Sequence, residues 1–394
     1  MLEHAARLTV AARADVPPFH VMEVLSAAAA RQRSRGDVVS LAAGQPSSRA
    51  PEPVLAAAER ALREQPLGYT EQLGVPELRA AVAGHYDRTH GLDVSPDDVV
   101  ITTGSSGAFL LAFLSAFDVG DRVALARPGY PAYRNILRAL GCEVVELPCG
   151  PETRFQPTVE MLEAIPPVKG LIVASPANPT GTVLAAAELS GLAAWCAERG
   201  VQFISDEIYH GIGYGAELRC AWETSREAVV VNSFSKTFAM TGWRLGWMLL
   251  PRRLRRAVDS LTGNFTLCPP ALAQHAAVAA FEPESCAEVA SHVERYRTNR
   301  EVLLTGLAEL GIDRLAPADG AFYAYADVSH LTTDSTTFCR DLLRDTGVAI
   351  VPGVDFDPVD GDRFVRLSFA GSTEDVREAL RRLRAWLPGT TAAP

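Results

Sequence analysis

Asn232-Ser233-Phe234-Ser235-Lys236-Thr237-Phe238-Ala239-Met240-Thr241-Gly242-Trp243-Arg244-Leu245-Gly246-Trp247 decides the reading of this 394-residue chain. An apolar run, Ala228 to Val231, precedes it and reads as a buried strand; Leu245 to Leu250 reads as a second. Between them lie hydroxyls, one lysine and one arginine. The chain has 37 Lys+Arg, and only Lys169 and Lys236 are lysines. Surface charge is served as well by arginine. Imine chemistry is not, because a guanidinium stays protonated while an amine can lose its proton and attack a carbonyl.

Ser233, Ser235 and Arg244 are groups that gather around a phosphate, with arginine able to bind two oxygens at once. A phosphate beside a Schiff-base lysine suggests pyridoxal 5′-phosphate (PLP). The stretch resembles the cofactor-lysine motif of class I/II aminotransferases, the aspartate aminotransferase family of fold type I. Further matches extend the resemblance over nearly the whole chain.

Size and composition set limits. The length suits two or three domain-sized units. Hydrophobic residues at 48% and charged residues at 21% fit a soluble globular protein. A formal charge of −10 disfavours nucleic acid as a partner. Seven scattered cysteines without a CxxC pair suggest reduced thiols in a cytoplasmic protein, not a disulfide framework or a metal site. No signal peptide and no apolar run of membrane-spanning length is visible, so no membrane partner is expected.

Strands alternate with helices from about residue 95 to 250, which argues a mostly parallel central sheet with helices on both faces. Strands are expected at Val38–Ala42, 99–102, 122–126, 142–147, 170–174, 201–205, 321–328, 348–351 and 364–369. The resemblance adds an α/β fold of the type I PLP-dependent transferases, with a smaller α+β domain. It divides the chain into a mobile leader (1–15), a small domain (16–45 and 286–394) and a large cofactor-binding domain (46–285).

Several segments carry chemistry. Thr103-Gly104-Ser105-Ser106-Gly107 joins a strand to an apolar helix, and such a turn offers free N–H groups and a helix dipole to an anion. With Ser233, Ser235 and Arg244 it forms a phosphate cup. Ser175-Pro176-Ala177-Asn178-Pro179-Thr180-Gly181 is a rigid turn at a strand's carboxyl end, where open α/β sheets bind ligands. Asn178 offers an N–H₂ donor to a phenolate oxygen. Asp206 follows apolar residues, and a buried carboxylate needs a partner; a pyridinium N–H is one. Tyr209 can reach the cofactor's 3′-oxygen. Glu207 and His210 read as structural. Arg366 stands among apolar strand residues, where a substrate carboxylate would pair with it bidentately.

The resemblance implies further roles. Gly44 approaches the substrate carboxylate. Tyr130 stacks on the pyridine face, with Tyr133 as the near alternative. Tyr69, within Tyr-x-x-x-x-Gly-x-Pro-Glu-Leu-Arg, reaches the cofactor phosphate of a neighbouring subunit, implying a homodimer with shared sites. The implied reaction moves an amino group between an L-amino acid and a 2-oxo acid, by a ping-pong mechanism through a Lys236 aldimine. Phe19, Gln45 and Gln72 are candidates for side-chain contacts. A dicarboxylate would call for a second positive charge, and the helix after Gly104 has none. Neutral amino acids such as alanine or valine are therefore favoured, with aspartate still open. Two alternatives stay open: another PLP reaction on this frame, such as a β-lyase or an oxidase, and a non-enzymatic regulator.

Overall fold

A computed structural model describes residues 9–387. The first helix, α1 (His20–Arg35), ends at Gly36, whose left-handed backbone closes it. The first strand, β1 (Val39–Ser40), is shorter than the expected 38–42 because only these two residues pair, in parallel, with a second short strand. Two helices follow, α2 (Glu52–Glu64) and α3 (Pro76–His90), each with a proline in the first turn where its missing N–H costs nothing.

Seven strands then form one sheet: β2 (Val99–Thr102), β3 (Arg122–Arg127), β4 (Glu143–Pro148), β5 (Gly170–Ala174), β6 (Gln202–Asp206), β7 (Val229–Ser233) and β8 (Gly246–Leu249). Their order is β2-β8-β7-β6-β5-β3-β4, and only β8 runs antiparallel to its neighbours. The expected mostly parallel sheet is present. Alternate residues divide the core between the two faces: Ile172, Ile204, Val229, Val231 and Met248 lie on one. Leu171, Val173, Phe203, Val230 and Leu249 lie on the other. Near-continuous apolar strands of this kind mark a sheet covered on both sides.

The helix α4 (Gly104–Ala116) begins at Gly104, four residues before the expected start, so the Gly-Ser turn is itself its first turn. Phe109 and Phe113 anchor it in the core, and Phe109 meets Tyr133 edge-on at 4.9 Å.

A second set of strands comes from the C-terminal third. β9 (Tyr323–Asp327), β11 (Val351–Pro352) and β12 (Phe364–Ser368) form an antiparallel sheet with β12 in the middle. β10 (Val348–Ala349) pairs instead with β1. The single strand expected over 348–351 is thus two, because Ile350 hands the chain from one sheet to the other. Of the leader expected over 1–15, residues 1–8 lie outside the described residues; Ala12–Ala14 is an exposed 3₁₀ turn. No helix among the described residues is long and apolar enough to cross a membrane.

Candidate active site

β2, β3, β5, β6 and β7 all point their carboxyl ends at one edge of the large sheet. A cavity of about 480 Å³ opens there, within the usual size of a small-molecule site. Ser105 and Ser106 follow β2, Tyr130 and Tyr133 follow β3, Asn178 follows β5, Asp206 ends β6, and Ser235 and Lys236 follow β7; all line the cavity. Arg244, Gly44 and Arg366 complete the set. Residues scattered over more than 300 positions therefore meet because a parallel sheet stacks its loops on one side.

Lys236 Nζ donates to the Gly44 carbonyl at 2.6 Å. Burial, helped by the guanidinium of Arg366, pushes its ammonium down to about 8. Much of this amine is thus neutral at mildly alkaline pH, the form that attacks a carbonyl. Asp206 is buried, which pushes its carboxyl up to about 6. One of its oxygens accepts from the Ile208 N–H at 3.1 Å and the other from the Tyr133 hydroxyl. Tyr133 therefore takes hold of Asp206, a role different from the ring-stacking alternative expected of it. Tyr130 remains on the cavity wall, its ring edge-on to Tyr133 at 5.3 Å.

The cup is tightly built. Gly104 has φ +73°, and a Cβ there would come within 2.5 Å of Arg244 Nη2, so only glycine lets that guanidinium lie over the start of α4. Arg244 itself has φ +56°, an unfavourable backbone for arginine of the kind that collects at functional sites. Ser233 departs from its expected place. It is the last residue of β7, and its hydroxyl donates to the Leu245 carbonyl at 3.3 Å and accepts from the Ser235 N–H at 3.1 Å. It shapes the cup from behind and does not line it.

Arg366 is buried under the opposite wall. Its guanidinium donates to Asn178 Oδ1 at 2.9 Å and to the Ala42 carbonyl at 2.8 Å. Tyr323 and Phe356 sandwich it, 4.4 and 4.8 Å from the ring centres. Its Nε has no hydrogen-bond partner among the described residues. Gly44 lies against Tyr323, whose hydroxyl would collide with any Cβ at that position. Tyr209 lines the cavity, and its hydroxyl bonds Tyr323 Oη at 2.7 Å.

Phe19, Val21, Met22 and Leu25 of the α1 region close the cavity, together with Gln45 and Ile208. Phe19 and Gln45 were candidates; Met22, Leu25, Tyr323 and Thr241 were not. Gln72 is elsewhere, with its amide packed on Gly263. Tyr69 is 84% exposed and does not line the cavity of its own chain.

A family model of class I and II aminotransferases matches residues 36–383. The chain belongs to that family. This aminotransferase is 65% identical over 382 residues to a valine–pyruvate aminotransferase of Mycobacterium tuberculosis, covering 96% of this chain and 98% of that one. It is 38% identical to an aspartate/prephenate aminotransferase of Thermus thermophilus, covering 93% and 95%. A crystal structure of a Mycobacterium tuberculosis aminotransferase superposes with a TM-score of 0.96 at 64% identity, over 97% of this chain and all of that one. The fold is that of the type I aminotransferases. The enzyme transfers amino groups between an amino acid and a 2-oxo acid, and the lyase and regulator alternatives are not favoured. Members of the family depend on PLP. The cavity suits that group: a buried primary amine, a buried carboxylate held by neutral donors, and a helix N-terminus flanked by hydroxyls and an arginine.

Proposed function

We propose that this aminotransferase uses PLP to exchange the amino group of a neutral aliphatic L-amino acid, valine or alanine, with pyruvate. The observation that carries the substrate class is the make-up of the cavity wall. Among the described residues lining it, the only cations are Lys236, Arg244 and Arg366; α1 contributes apolar groups. With Lys236 and Arg244 reserved for the cofactor and Arg366 for the α-carboxylate, this chain's own lining leaves no guanidinium for a side-chain carboxylate. The name of the 65% identical relative agrees.

In this reading Ser105, Ser106, Ser235 and Arg244 hold the phosphate, with Gly104 leaving room for the arginine and Ser233 shaping the loop. Tyr130 packs on the ring, and Asn178 and Tyr209 meet its 3′-oxygen. Asp206 meets the ring nitrogen. Bound PLP supplies an electron sink for the pair left at the substrate Cα. With that group bound, the Lys236 amine would be the base placed to take and return the Cα proton. Arg366 fixes the substrate carboxylate as a two-pronged donor, and Gly44 leaves room beside it. Apolar contacts from Met22 and Leu25 exclude water from the side chain.

The same reading makes the enzyme a homodimer, with Tyr69 of each protomer serving the other's phosphate cup, and a cytoplasmic protein whose cysteines are unbridged. On this reading the small domain comprises 16–45 and the described part of 286–394, and the large one 46–285. Single-turnover assays with valine, alanine, aspartate and glutamate, and with pyruvate or 2-oxoglutarate as acceptor, test it. Valine and alanine should exceed aspartate in kcat/KM by at least about tenfold, the scale of a pocket lacking one charge partner. Equal use of aspartate overturns the substrate assignment.

A further inference from the structure

Behind Asp206, on the side of β6 away from the cavity, lies a buried acid that the chemistry above does not use. Glu207 is fully buried. Its Oε1 accepts from Ser205 Oγ at 2.9 Å and from the Ala221 N–H at 2.8 Å. Its Oε2 has no hydrogen-bond partner among the described residues. That oxygen lies 3.4 Å from Nδ1 of His210, which is also buried, and neither ring nitrogen of His210 makes a well-aligned hydrogen bond among the described residues. An ionised carboxylate with a bare oxygen in this setting is costly, and so is an isolated imidazolium.

His210 touches several catalytic segments. Its ring is turned to the backbone of Ser175, at the start of the turn that carries Asn178. Its own carbonyl accepts from Thr237 Oγ1 at 2.5 Å, next to Lys236. Its N–H donates to the Glu207 carbonyl at 2.9 Å, within the turn that carries Asp206 and Tyr209. His210 thus ties these segments together, one through its ring and two through its backbone.

We propose that Glu207 and His210 share one proton, with the neutral acid of Glu207 donating to Nδ1 of His210, and that this pair positions the segments bearing Asn178, Asp206, Tyr209 and Lys236. Transfer of the proton within the pair changes no net charge, so both groups escape the penalty of an unpaired buried ion. Glu207 and His210 are positioning residues: neither lines the cavity.

The surroundings favour the neutral pair. Burial pushes the Glu207 carboxyl up to about 8, against the hydrogen bonds from Ala221, Cys220 and Ser205 and with a small contribution from neighbouring Asp206. Burial also holds His210 far below its ordinary value, to about 3, and His90 and His85 of α3 add to that. His90 lies 5.6 Å from His210, ring centre to ring centre, and is tied to Glu223 at 3.1 Å. Glu223 in turn binds Arg219. Tyr86 and Cys220, the other titratable neighbours, are held neutral by burial. Of the guanidinium groups near this shell, Arg219 is occupied by Glu217 and Glu223, and Arg88 acts on His85.

The test compares Glu207→Gln, Glu207→Ala and the wild type as cofactor-loaded enzymes. A glutamine amide can donate to Nδ1 as the protonated acid does; alanine cannot. E207A should lose about tenfold or more in kcat with little change in KM, and E207Q should restore most of it, because misplaced catalytic groups cost rate more than binding. The second readout is urea unfolding against pH. An acid whose folded pKa is raised stabilises below its ordinary value, and that stability is lost as pH rises through about 8. Between pH 7 and 9.5 the wild type's unfolding constant should rise about tenfold relative to E207Q. An E207Q enzyme as impaired as E207A, or one pH slope shared by wild type and E207Q, overturns the proposal. Should E207A fail to fold, the slope comparison still decides. The proposal rests on the site reading above only for its kinetic arm; the unfolding arm stands without it.

Discussion

The phenol oxygens of Tyr209 and Tyr323 lie 2.7 Å apart, joining the loop after β6 to the first residue of β9. Tyr323 also supports the Arg366 guanidinium on its ring and limits position 44 to glycine. One side chain from the C-terminal sheet thus sets the Tyr209 hydroxyl, the Arg366 plane and the Gly44 backbone together. Tyr323→Phe should leave Tyr209 without its partner and cost about 1 kcal/mol of stability, while keeping Arg366 stacked. Tyr323→Leu should in addition raise KM for the amino donor. Thermal melts and steady-state kinetics of the two variants separate these effects, and equal KM values would remove Tyr323 from the substrate side.

Gly44→Ala forces a methyl against the Tyr323 hydroxyl. Overpacking of this kind costs about 1–3 kcal/mol, and the strain should appear as weaker donor binding because Gly44 also receives the Lys236 ammonium. The measurement is KM for valine together with the visible absorbance of the loaded enzyme. An unchanged KM would mean that the tyrosine gives way freely.

Lys236 and Asp206 store a cost in the cofactor-free protein. A lysine whose folded pKa falls from 10.5 to about 8 stabilises only above its ordinary value, and loses that contribution as pH falls through 8. An aspartate raised from 3.8 to about 6 stabilises below its ordinary value, and loses that contribution as pH rises through 6. Between roughly pH 6 and 8 both charges are therefore held at a penalty. Lys236→Met should abolish transamination yet stabilise the cofactor-free protein at pH 7 by about 1–2 kcal/mol after loss of the bond to Gly44, read as a higher melting temperature. The gain should shrink towards pH 10. A variant that melts lower at pH 7 would contradict the assigned burial of the amine.

Arg366→Ala should raise KM for amino donors by about tenfold to a hundredfold with the cofactor spectrum unchanged, as befits loss of a two-pronged carboxylate contact. Arg366→Lys should restore little of it, because an ammonium presents no planar fork to the carboxylate. Full recovery by lysine would reduce the role of Arg366 to simple charge.

Tyr69→Phe should weaken retention of the cofactor without lowering the melting temperature of the protomer, since Tyr69 is 84% exposed on it. Dialysis followed by absorbance reads the loss. No change would remove Tyr69 from the phosphate cup of a neighbouring protomer.

Much of this site was legible in the sequence because its residues stand in loops directly after strands. Lys236, Asn178 and Asp206 each follow an apolar run, and a parallel sheet brings such loops to one edge. Arg366 announced itself as a lone charge in an apolar strand. Other parts left no local trace. Tyr323 is separated from Tyr209 by 114 positions, and an aromatic in a buried strand looks like core whether or not its hydroxyl has a task. The grip of Tyr133 on Asp206 spans 73 positions and distinguishes two neighbouring tyrosines that the sequence leaves equivalent. Ser233 misled for the opposite reason: proximity to Lys236 along the chain says nothing of which way a strand-end hydroxyl turns. The split at Ile350 depends on which strands happen to be free to pair, a property of the assembled sheets.

That split joins two tasks in one stiff ribbon. β10 is tied through β1 to the end of α1, and two residues later β11 is tied to Arg366 on β12. On the proposed roles, the wall that would gauge the bulk of the incoming molecule and the prong that would grip its acid end are thus joined through two short ladders. Directed evolution for a larger donor would do better to trim Met22 or Leu25 in place than to loosen α1, because a slack helix would surrender the grip along with the gauge.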